Sequence, residues 1–427
     1  MKHVIRKQLI SLQLAAGHDA FSIQQSARDY FYDQVAPALD KVLTELSSPN
    51  EMISLDRVEI DLGNLHWKNE KLIANSEQLY QILKQSLSER LSATGREETN
   101  KATSVTVRTR PAHACGQWLY YMENGVLPWA LQHTPAAWLE QVLHQLAIDH
   151  QLTARTKDLL KQHRWFLLRV VRDHSAHFLQ QLAGVLTAKP QPGLPAEIDR
   201  MASQMELSPE YQRTKHQLWS AALLQFAAGK TTWQPGEALP HLPGTTGEAV
   251  IPEAQPSPLQ EGIFCAFAGV VLLHPFFKHL FNHLSLLENG LFINEAAKAK
   301  AVLLIYYAAT GNTNPKDHEL AVAKTLCGMP LWEVLEAGAY ALTEPEKEET
   351  GNMLHAAIAQ WTIINNTSAA GLREGFLSRP GKLFLEQTTI TFTLETSGID
   401  VLLDHLPWNL SIIKFPWLNQ LIRVEWR

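Results

Sequence analysis

The chain has 427 residues, of which 45% are hydrophobic and 19% are charged, and its formal net charge is −6. This composition is typical of a globular protein with room for two or three domains. The weakly acidic balance provides no electrostatic basis for binding nucleic acid or anionic lipid. The three cysteines, Cys115, Cys265 and Cys327, lie far apart, which argues against a disulfide framework and indicates a reducing cytoplasm.

The N-terminal sequence MKHVIRKQLISLQL contains charged residues and lacks the apolar core of a signal peptide. The best apolar stretch, residues 263–277, is too short for a transmembrane helix and contains His274 and Pro275. We therefore expect a cytoplasmic protein without stable membrane insertion.

Residues 1–93 are predicted to form a small α+β module, since their apolar residues change from strand-like alternation to helical spacing and back. The predicted elements are a strand over 3–14, a helix capped by Asp19 or Ser22 that ends at Leu46, a strand over 52–62 and a helix over about 72–93.

Two predicted linkers divide the chain after this module. Residues 94–112 carry few large apolar groups and are predicted to be a linker. Residues 113–231 have apolar side chains at helical spacing and are predicted to be a helical region. Residues 232–259 are rich in proline and glycine, which predicts a second linker or an exposed loop.

The C-terminal region, residues 260–427, is predicted to be helical and to end in short β-strands. Thr343 is a helix cap, with Pro345 early in the helix and Glu346 three residues on. Helices are predicted over 263–273, 276–287, 295–310, 317–326, 346–365 and 368–378, and strands over 389–394, 410–415 and 421–426. The fold class is therefore α+β and mostly α-helical. Strands at both ends suggest that the two ends share one sheet.

Several tryptophans mark turns and the ends of elements. A proline precedes the tryptophan in Leu406-Pro407-Trp408 and in Phe415-Pro416-Trp417, and proline fixes φ and removes a backbone donor. A related turn runs from Asn124 to Trp129. The residues predicted to contact a partner or to anchor their own module are Trp129, Trp408, Trp417, Trp426 and Arg423. For the tryptophans, burial inside the module is the favoured alternative.

A group of histidines is the first candidate for a metal site. His279 and His283 are four residues apart, so they share a helix face, and His274 precedes them. The stretch lacks the HExxH arrangement and has no nearby cysteine pair, so packing or surface histidines are favoured over a metal site. The same holds for His174 and His177, and no metal is expected.

A phosphate-binding loop is suggested by Gly229-Lys230-Thr231, but the first glycine of that motif would have to stand where Leu224 is. No nucleotide or other cofactor is therefore expected.

Carboxylates occur together at Asp56, Glu59 and Asp61, where they alternate with apolar residues in the pattern of a solvated strand face. This pattern favours a structural interpretation over an acid–base pair. Cys327 has apolar neighbours and is predicted to be a buried small hydrophobe. No other catalytic motif stands out, so the protein is not expected to be an enzyme.

Several sequence blocks together resemble the bacterial contractile injection system tape measure protein family. They cover both ends of the chain and most of residues 259–427, and are weakest over 130–258. The blocks are HVIRKQLISLQL at 3–14, DAFSIQQ at 19–25, LDRVEIDLG at 55–63, VLLHPFFKHLF at 271–281, LCGMP at 326–330, NTSAAGLREGFLSRPGKL at 366–383, LPWNLSIIKFPW at 406–417 and VEW at 424–426.

The resemblance implies a structural component of a phage-tail-like particle, in which a sheath contracts and drives an inner tube forward. A tape measure protein lies inside the tube during assembly and sets its length. The implied partners are inner tube, baseplate or cap proteins. The alternatives are a globular baseplate, cap or assembly factor of the same machine, an unrelated soluble adaptor, or a hydrolase carried at the tip.

Overall fold

The computed structural model describes residues 3–5, 8–13, 20–48, 50–55, 57–63, 66–68, 71–73, 75–92, 105–128, 131, 134–203, 209–235, 262–335 and 340–426. The chain divides into two compact units, Met1–Ala114 (unit 1) and Cys115–Arg427 (unit 2).

Unit 1 is built from helices and short strands. Its elements are α1 (Ala20–Tyr30), a π-helical turn (Phe31–Val35), α2 (Ala36–Leu46), β1 (Glu51–Leu55), β2 (His66–Lys68), β3 (Lys71–Ile73), α3 (Ser76–Ser92) and β4 (Val105–Thr109). α4 (Arg110–Asn124) begins in unit 1 and continues into unit 2. The predicted helix that ends at Leu46 is present as α1, the π-helical turn and α2. The helix predicted over about 72–93 is present as α3, but residues 72 and 73 belong to β3 instead.

The core of unit 1 lies between these helices. Val42 on α2 and Leu83 and Leu87 on α3 are fully or almost fully buried. Val58, Ile60 and Leu62 pack against the same core from residues 57–63. The alternation seen in the sequence therefore has the expected consequence, with apolar side chains inward and Arg57, Glu59 and Asp61 exposed.

The strands of unit 1 differ from the prediction. Residues 3–5 and 8–13 form no strand, and the strand predicted over 52–62 is confined to β1. β4 pairs with β1 and lies within the range expected to be a linker. A β-strand needs a ladder partner as well as an alternating pattern, and the partner of β1 comes from a stretch with few large apolar groups.

Unit 2 begins with a helical part. It contains the rest of α4 together with α5 (Trp138–Ile148), α6 (His150–Gln162), α7 (Arg164–Asp173), α8 (Ala176–Thr187), α9 (Leu194–Ser203) and α10 (Pro209–Ala227). Asp149 caps α6 by accepting hydrogen bonds from the backbone of Gln151 and Leu152. The helices predicted from the spacing of apolar residues over 113–231 are thus present in the described part of that range.

The second part of unit 2 contains the elements that follow residue 261. They are β5 (Ile263–Cys265), a 3₁₀-helix (Ala268–Leu273), α11 (His274–His283), β6 (Leu287–Glu288), β7 (Leu291–Phe292), α12 (Glu295–Thr310), a 3₁₀-helix (Asp317–Leu320), α13 (Ala321–Leu326), α14 (Glu344–Gln360), a 3₁₀-helix (Thr362–Ile364), α15 (Ala369–Leu372), a π-helical turn (Arg373–Leu377), β8 (Gly381–Leu385), β9 (Thr389–Leu394), a 3₁₀-helix (Gly398–His405), β10 (Ile412–Ile413) and β11 (Leu421–Glu425).

The helix α12 is central to this part because it is buried along most of its length, from Ala297 to Ala309. A helix that is apolar on all sides has to be surrounded by other elements. α14 begins with the predicted capping box, in which Thr343 and Glu346 bond reciprocally to each other's backbone.

A five-stranded sheet closes the C-terminal part, in the order β10-β11-β9-β8-β5. β11 runs parallel to β9, and its buried Ile422 and Val424 lie opposite Ile390 and Phe392. The strands predicted over 389–394 and 421–426 are confirmed, and that over 410–415 is reduced to two residues.

Two expectations for this region are wrong. All strands of the five-stranded sheet come from residues 263–425, so within the described residues the two ends of the chain do not share a sheet. Residues 263–273 form β5 and a 3₁₀-helix instead of one α-helix. A Cβ atom at Gly269 would lie 1.9 Å from the Phe376 carbonyl oxygen. The backbone at residue 269 therefore packs directly against the backbone at residue 376. The fold class, α+β and mostly helical, is confirmed.

Candidate functional site

A cluster of buried charges joins the two parts of unit 2. Arg169 and Arg172 lie on α7, Asp317 begins a 3₁₀-helix, and Lys324 lies on α13. The Asp317 carboxylate is 2.9 Å from Arg169 Nε, 3.0 Å from Arg172 Nη1 and 2.8 Å from Lys324 Nζ. These four residues and Asp173 are called the Asp317 cluster below. It holds three cations and two carboxylates.

Backbone carbonyl groups complete the hydrogen bonding of the cations. Arg169 donates to the carbonyl oxygens of Met122 and Trp332, and Arg172 Nη2 donates to that of Pro315 at 3.0 Å. Lys324 Nζ donates to the carbonyl oxygens of Leu331 and Glu333 at 3.2 and 2.7 Å. Each buried cation therefore has both a carboxylate and carbonyl partners, which is the condition for burying charge.

The second carboxylate, Asp173, extends this network towards α4. It accepts hydrogen bonds from the Tyr121 hydroxyl and, at 3.3 Å, from the Asp317 backbone N–H. The Tyr121 oxygen accepts the His318 backbone N–H at 3.3 Å. Three segments that are distant in the sequence thus meet at one point.

Burial and charge act against each other on the carboxylate of Asp317. Burial alone would raise its pKa, but Lys324, Arg169 and Arg172 hold that pKa well below its usual range. Burial lowers the pKa of Lys324, although Asp317 opposes this effect. Burial also raises the pKa of Tyr121. The carboxylate stays ionised and holds the cations around it.

Gly125 leaves the space that the Leu331 carbonyl oxygen and the Arg169 side chain occupy in the Asp317 cluster. It has a φ of +77°, and a Cβ atom there would lie 2.4 Å from the Leu331 carbonyl oxygen and 2.8 Å from Arg169 Nη2. Glycine alone among the residues adopts this conformation without strain and leaves the space free. Gly125, which lies in the range of the predicted turn, therefore forms part of the wall of the Asp317 cluster.

The sequence analysis did not identify this cluster, although α7 carried a signal. Arg169 interrupts an apolar run that includes Phe166, Leu167 and Val170, all of which are buried. A charge inside an apolar helix face requires a buried counter-ion. The counter-ion could not be assigned, because Asp317 is 148 residues away in the sequence.

A second feature, the aromatic wall, comprises Trp408 and Trp417 and the rings around them. The Trp417 ring centroid is 5.6 Å from that of Phe281, 5.3 Å from Phe292 and 4.7 Å from Phe415. Its Nε1 donates to the Leu326 carbonyl oxygen at 2.9 Å. These contacts fix the chain between β10 and β11 to α11 and α13.

Trp408 makes the equivalent contacts at the other proline–tryptophan motif. Its Nε1 donates to the Leu272 carbonyl oxygen at 3.0 Å, and its ring meets Phe276 edge to face. Both tryptophans are half-buried. In each, the indole N–H bonds to a backbone carbonyl group and the apolar ring packs against other aromatic rings of unit 2.

The other predicted residues are placed differently. Trp426 is buried in the core of unit 2, directly after β11, while Arg423 is exposed on that strand. The structure thus packs both Trp408 and Trp417 against α11 and leaves Arg423 exposed on β11. Trp129 lies outside the described residues.

Within the described residues, no three His, Cys, Asp or Glu side chains come together as metal ligands. His283 faces Glu349 at 3.9 Å on the surface, and Arg57 pairs with its neighbour Glu59 in solvent. None of the helices in the described ranges is long and apolar enough to cross a membrane.

The comparisons with known proteins gave one match, to the model of a protein family. Neither the comparison with curated proteins nor that with solved structures gave a match. The model of one family, described as contractile injection system tape measure protein, matches residues 2–248 and 239–426. These two matches cover most of the chain, which therefore belongs to the family of contractile injection system tape measure proteins.

Proposed function

We propose that this protein contributes to setting the length of the inner tube while the particle is assembled in the cytoplasm. Membership of the tape measure family carries this proposal, since it makes the chain a structural and assembly component of a contractile injection system. The proposed partners are inner tube, baseplate or cap proteins.

The folded state of unit 2 constrains how such a role is performed. A fully helical rod of 427 residues would be about 640 Å long at ~1.5 Å per residue. A folded unit the size of unit 2, residues 115–427, has a radius of gyration of only about 20 Å. Unfolding this unit would expose the Asp317 cluster and the buried helix α12.

A second candidate is therefore a folded baseplate, cap or assembly factor of the same particle. The observation that favours it is the closure of the C-terminal core around Trp426, together with the Asp317 cluster. In both candidates the protein is structural. They differ in whether the tube length depends on the number of residues in this chain.

Changing the chain length distinguishes the two. One strain would lack residues 238–257 and another would carry them twice, and tube lengths would be measured by electron microscopy. If these 20 residues are part of the measured span, tubes change by about 30 Å for helical chain and by about 70 Å for extended chain, in opposite directions. Equal lengths in both strains favour the folded assembly factor.

The native cysteines report whether unit 2 stays folded in the particle. Cys115, Cys265 and Cys327 are buried. Burial raises the pKa of Cys115 and of Cys265 to about 12, so their thiolate population is small. A folded unit protects all three from a maleimide, whereas an extended chain exposes them. Thr313→Cys, at an exposed loop position, checks that the reagent reaches the protein.

A further inference from the structure

The two-stranded sheet of unit 1 has one face that is rich in hydrogen-bond donors. β1 and β4 pair antiparallel, with Met52 opposite Arg108 and Ser54 opposite Thr106. Successive side chains of a strand point to opposite faces, so these four side chains share one face of the sheet. The other face carries Leu55, which packs against the core of unit 1. The arginine and the two hydroxyl groups therefore lie on the face directed away from that core.

The helix α4 places a histidine beside this face. α4 begins at Arg110, directly after the last residue of β4, so no loop separates the two elements. Thr109 Oγ1 accepts the backbone N–H of Ala112 at 3.3 Å and caps the first turn. His113 lies about one turn into the helix and lines a cavity together with the residues of the strands.

This cavity has a volume of about 140 Å³ and is called the Arg108 pocket below. Its described lining consists of Met52, Ser54, Thr106, Arg108 and His113, none of which is a carboxylate. Four of these side chains can donate hydrogen bonds, through a guanidinium group, an imidazole and two hydroxyl groups. Among the described residues, none of the four has a hydrogen-bond or ion-pair partner. Donors from three elements that line one cavity and lack protein partners are suited to a ligand rich in acceptor atoms.

The electrostatics of the pocket favour an anion. Burial and the positive charge of Arg108 lower the pKa of His113. The described groups that line the pocket with His113 are Met52 and Ser54 on β1 and Thr106 and Arg108 on β4, and of these only Arg108 is charged. An anion in the pocket would offset that charge and stabilise the protonated ring, which has a second N–H to donate. The anion and a proton on His113 should therefore bind together.

We propose that the Arg108 pocket binds a tetrahedral oxyanion of the phosphate and sulfate class. Arg108 provides the forked donor that matches two oxygens of such an ion, and His113, Ser54 and Thr106 donate to the others. A tetrahedral ion offers more acceptor oxygens than a planar carboxylate, which suits donors that come from three elements. The same chemistry is presented by a free ion and by a phosphoryl group on a larger molecule. This site goes beyond the structural role proposed above.

Calorimetric titration of the full-length protein with sulfate, at constant ionic strength, tests the site. We expect saturable binding with a dissociation constant near about 1 mM. Arg108→Gln should weaken binding by about tenfold or more, because a charged donor is lost. Arg108 is exposed, so the variant should keep its fold, as circular dichroism would show.

Arg110→Gln is the matched control, because it removes an equal charge two residues away and outside the described lining. It should change the affinity by less than about twofold. An equal loss in Arg108→Gln and Arg110→Gln would indicate diffuse attraction and overturn the proposal. A wild-type protein that shows no saturable binding up to about 50 mM sulfate also overturns it.

The pH dependence tests the part played by His113. Sulfate stays fully ionised between about pH 7.5 and 5.5, so a rise in affinity over this range reports protonation of the protein. We expect this rise in the wild type and its loss in His113→Gln. A wild-type affinity that does not change with pH contradicts the proposed coupling and overturns the assignment.

Competition against sulfate identifies the ligand class and its source. Displacement by inorganic phosphate but not by O-phosphoserine supports a site for the free ion. Displacement by both supports a site for a phosphoryl group on a larger molecule. Acetate that competes as well as phosphate would overturn the assignment to a tetrahedral oxyanion.

Discussion

Arg169 and Asp317 are 148 residues apart in the sequence, yet their side chains form a 2.9 Å ion pair that is completely buried. Arg169 belongs to the helical part of unit 2 and Asp317 to the part that ends in the five-stranded sheet. Buried ion pairs add little net stability over apolar packing, but they are costly to break. We therefore expect this pair to specify how the two parts of unit 2 join.

Asp317→Asn should destabilise unit 2 by about 3–5 kcal/mol, because Arg169, Arg172 and Lys324 would keep their charges without a full counter-charge. Denaturant unfolding followed by tryptophan fluorescence measures this loss. Asp158→Asn is the matched control, because Asp158 pairs with Lys161 at the surface, and it should change stability by less than about 1 kcal/mol. A loss below 1 kcal/mol for Asp317→Asn would show that the cluster relaxes around the change.

Gly125→Ala should cost well over about 1 kcal/mol, since it combines a φ of +77° with a clash against the Leu331 carbonyl oxygen. Gly351→Ala on α14 is the control, because a Cβ atom there meets nothing within 4 Å. It should stabilise the protein by about 0.5–1 kcal/mol through helix propensity. Opposite shifts of the thermal midpoint are expected, and a neutral Gly125→Ala would contradict the close packing of this turn.

The unfolding free energy should fall as the pH drops from about 6.5 towards 4, in part because of His174. Trp118 Nε1 donates to His174 Nε2 at 3.0 Å, and His174 Nδ1 donates to the Val170 carbonyl oxygen at 2.8 Å, so only the neutral ring fits. Burial lowers the pKa of His174 to about 4. The unfolded chain therefore takes up the proton first, and the folded state loses about 3 kcal/mol by pH 4.

Comparison of denaturation midpoints between pH 4 and 7 measures this effect. His174→Gln should reduce the slope over that window, whereas His144→Gln, at an exposed position on α5, should leave the wild-type profile. An unchanged slope in His174→Gln would mean that other groups cause the acid sensitivity.

The aromatic wall and Arg423 should respond differently to truncation. Trp417→Ala should cost about 2–4 kcal/mol, because it removes the packing on Phe281, Phe292 and Phe415 and the hydrogen bond to Leu326. Arg423→Ala, on the exposed face of β11, should stay within about 0.5 kcal/mol.

Particle formation should then be compared with stability for the two variants. A defect with Arg423→Ala at unchanged stability would identify a contact with another particle protein. A stable Trp417→Ala protein would show that this tryptophan does not anchor the unit.

Elements with a strong local signal were predicted well. The capping box at Thr343, the helices over 295–310 and 317–326 and the strand over 389–394 all follow from residues close together in the sequence. The predictions failed where a residue distant in the sequence determines the secondary structure. β4 was missed because its pairing with β1 joins residues about fifty positions apart, and residues 3–14 were predicted as a strand without a partner.

The sequence alone determined the fold class, the main helices, the terminal strands and the family, since these depend on periodicity, capping and contiguous motifs. Only the tertiary structure decided that Arg169, Arg172, Asp317 and Lys324 meet, and that Gly125 leaves room for them. It also decided that Trp408 and Trp417 turn inward to backbone carbonyl groups while Arg423 faces solvent. The physical reason is that buried charge is tolerated only beside a counter-ion, and no local pattern shows which distant residue supplies it.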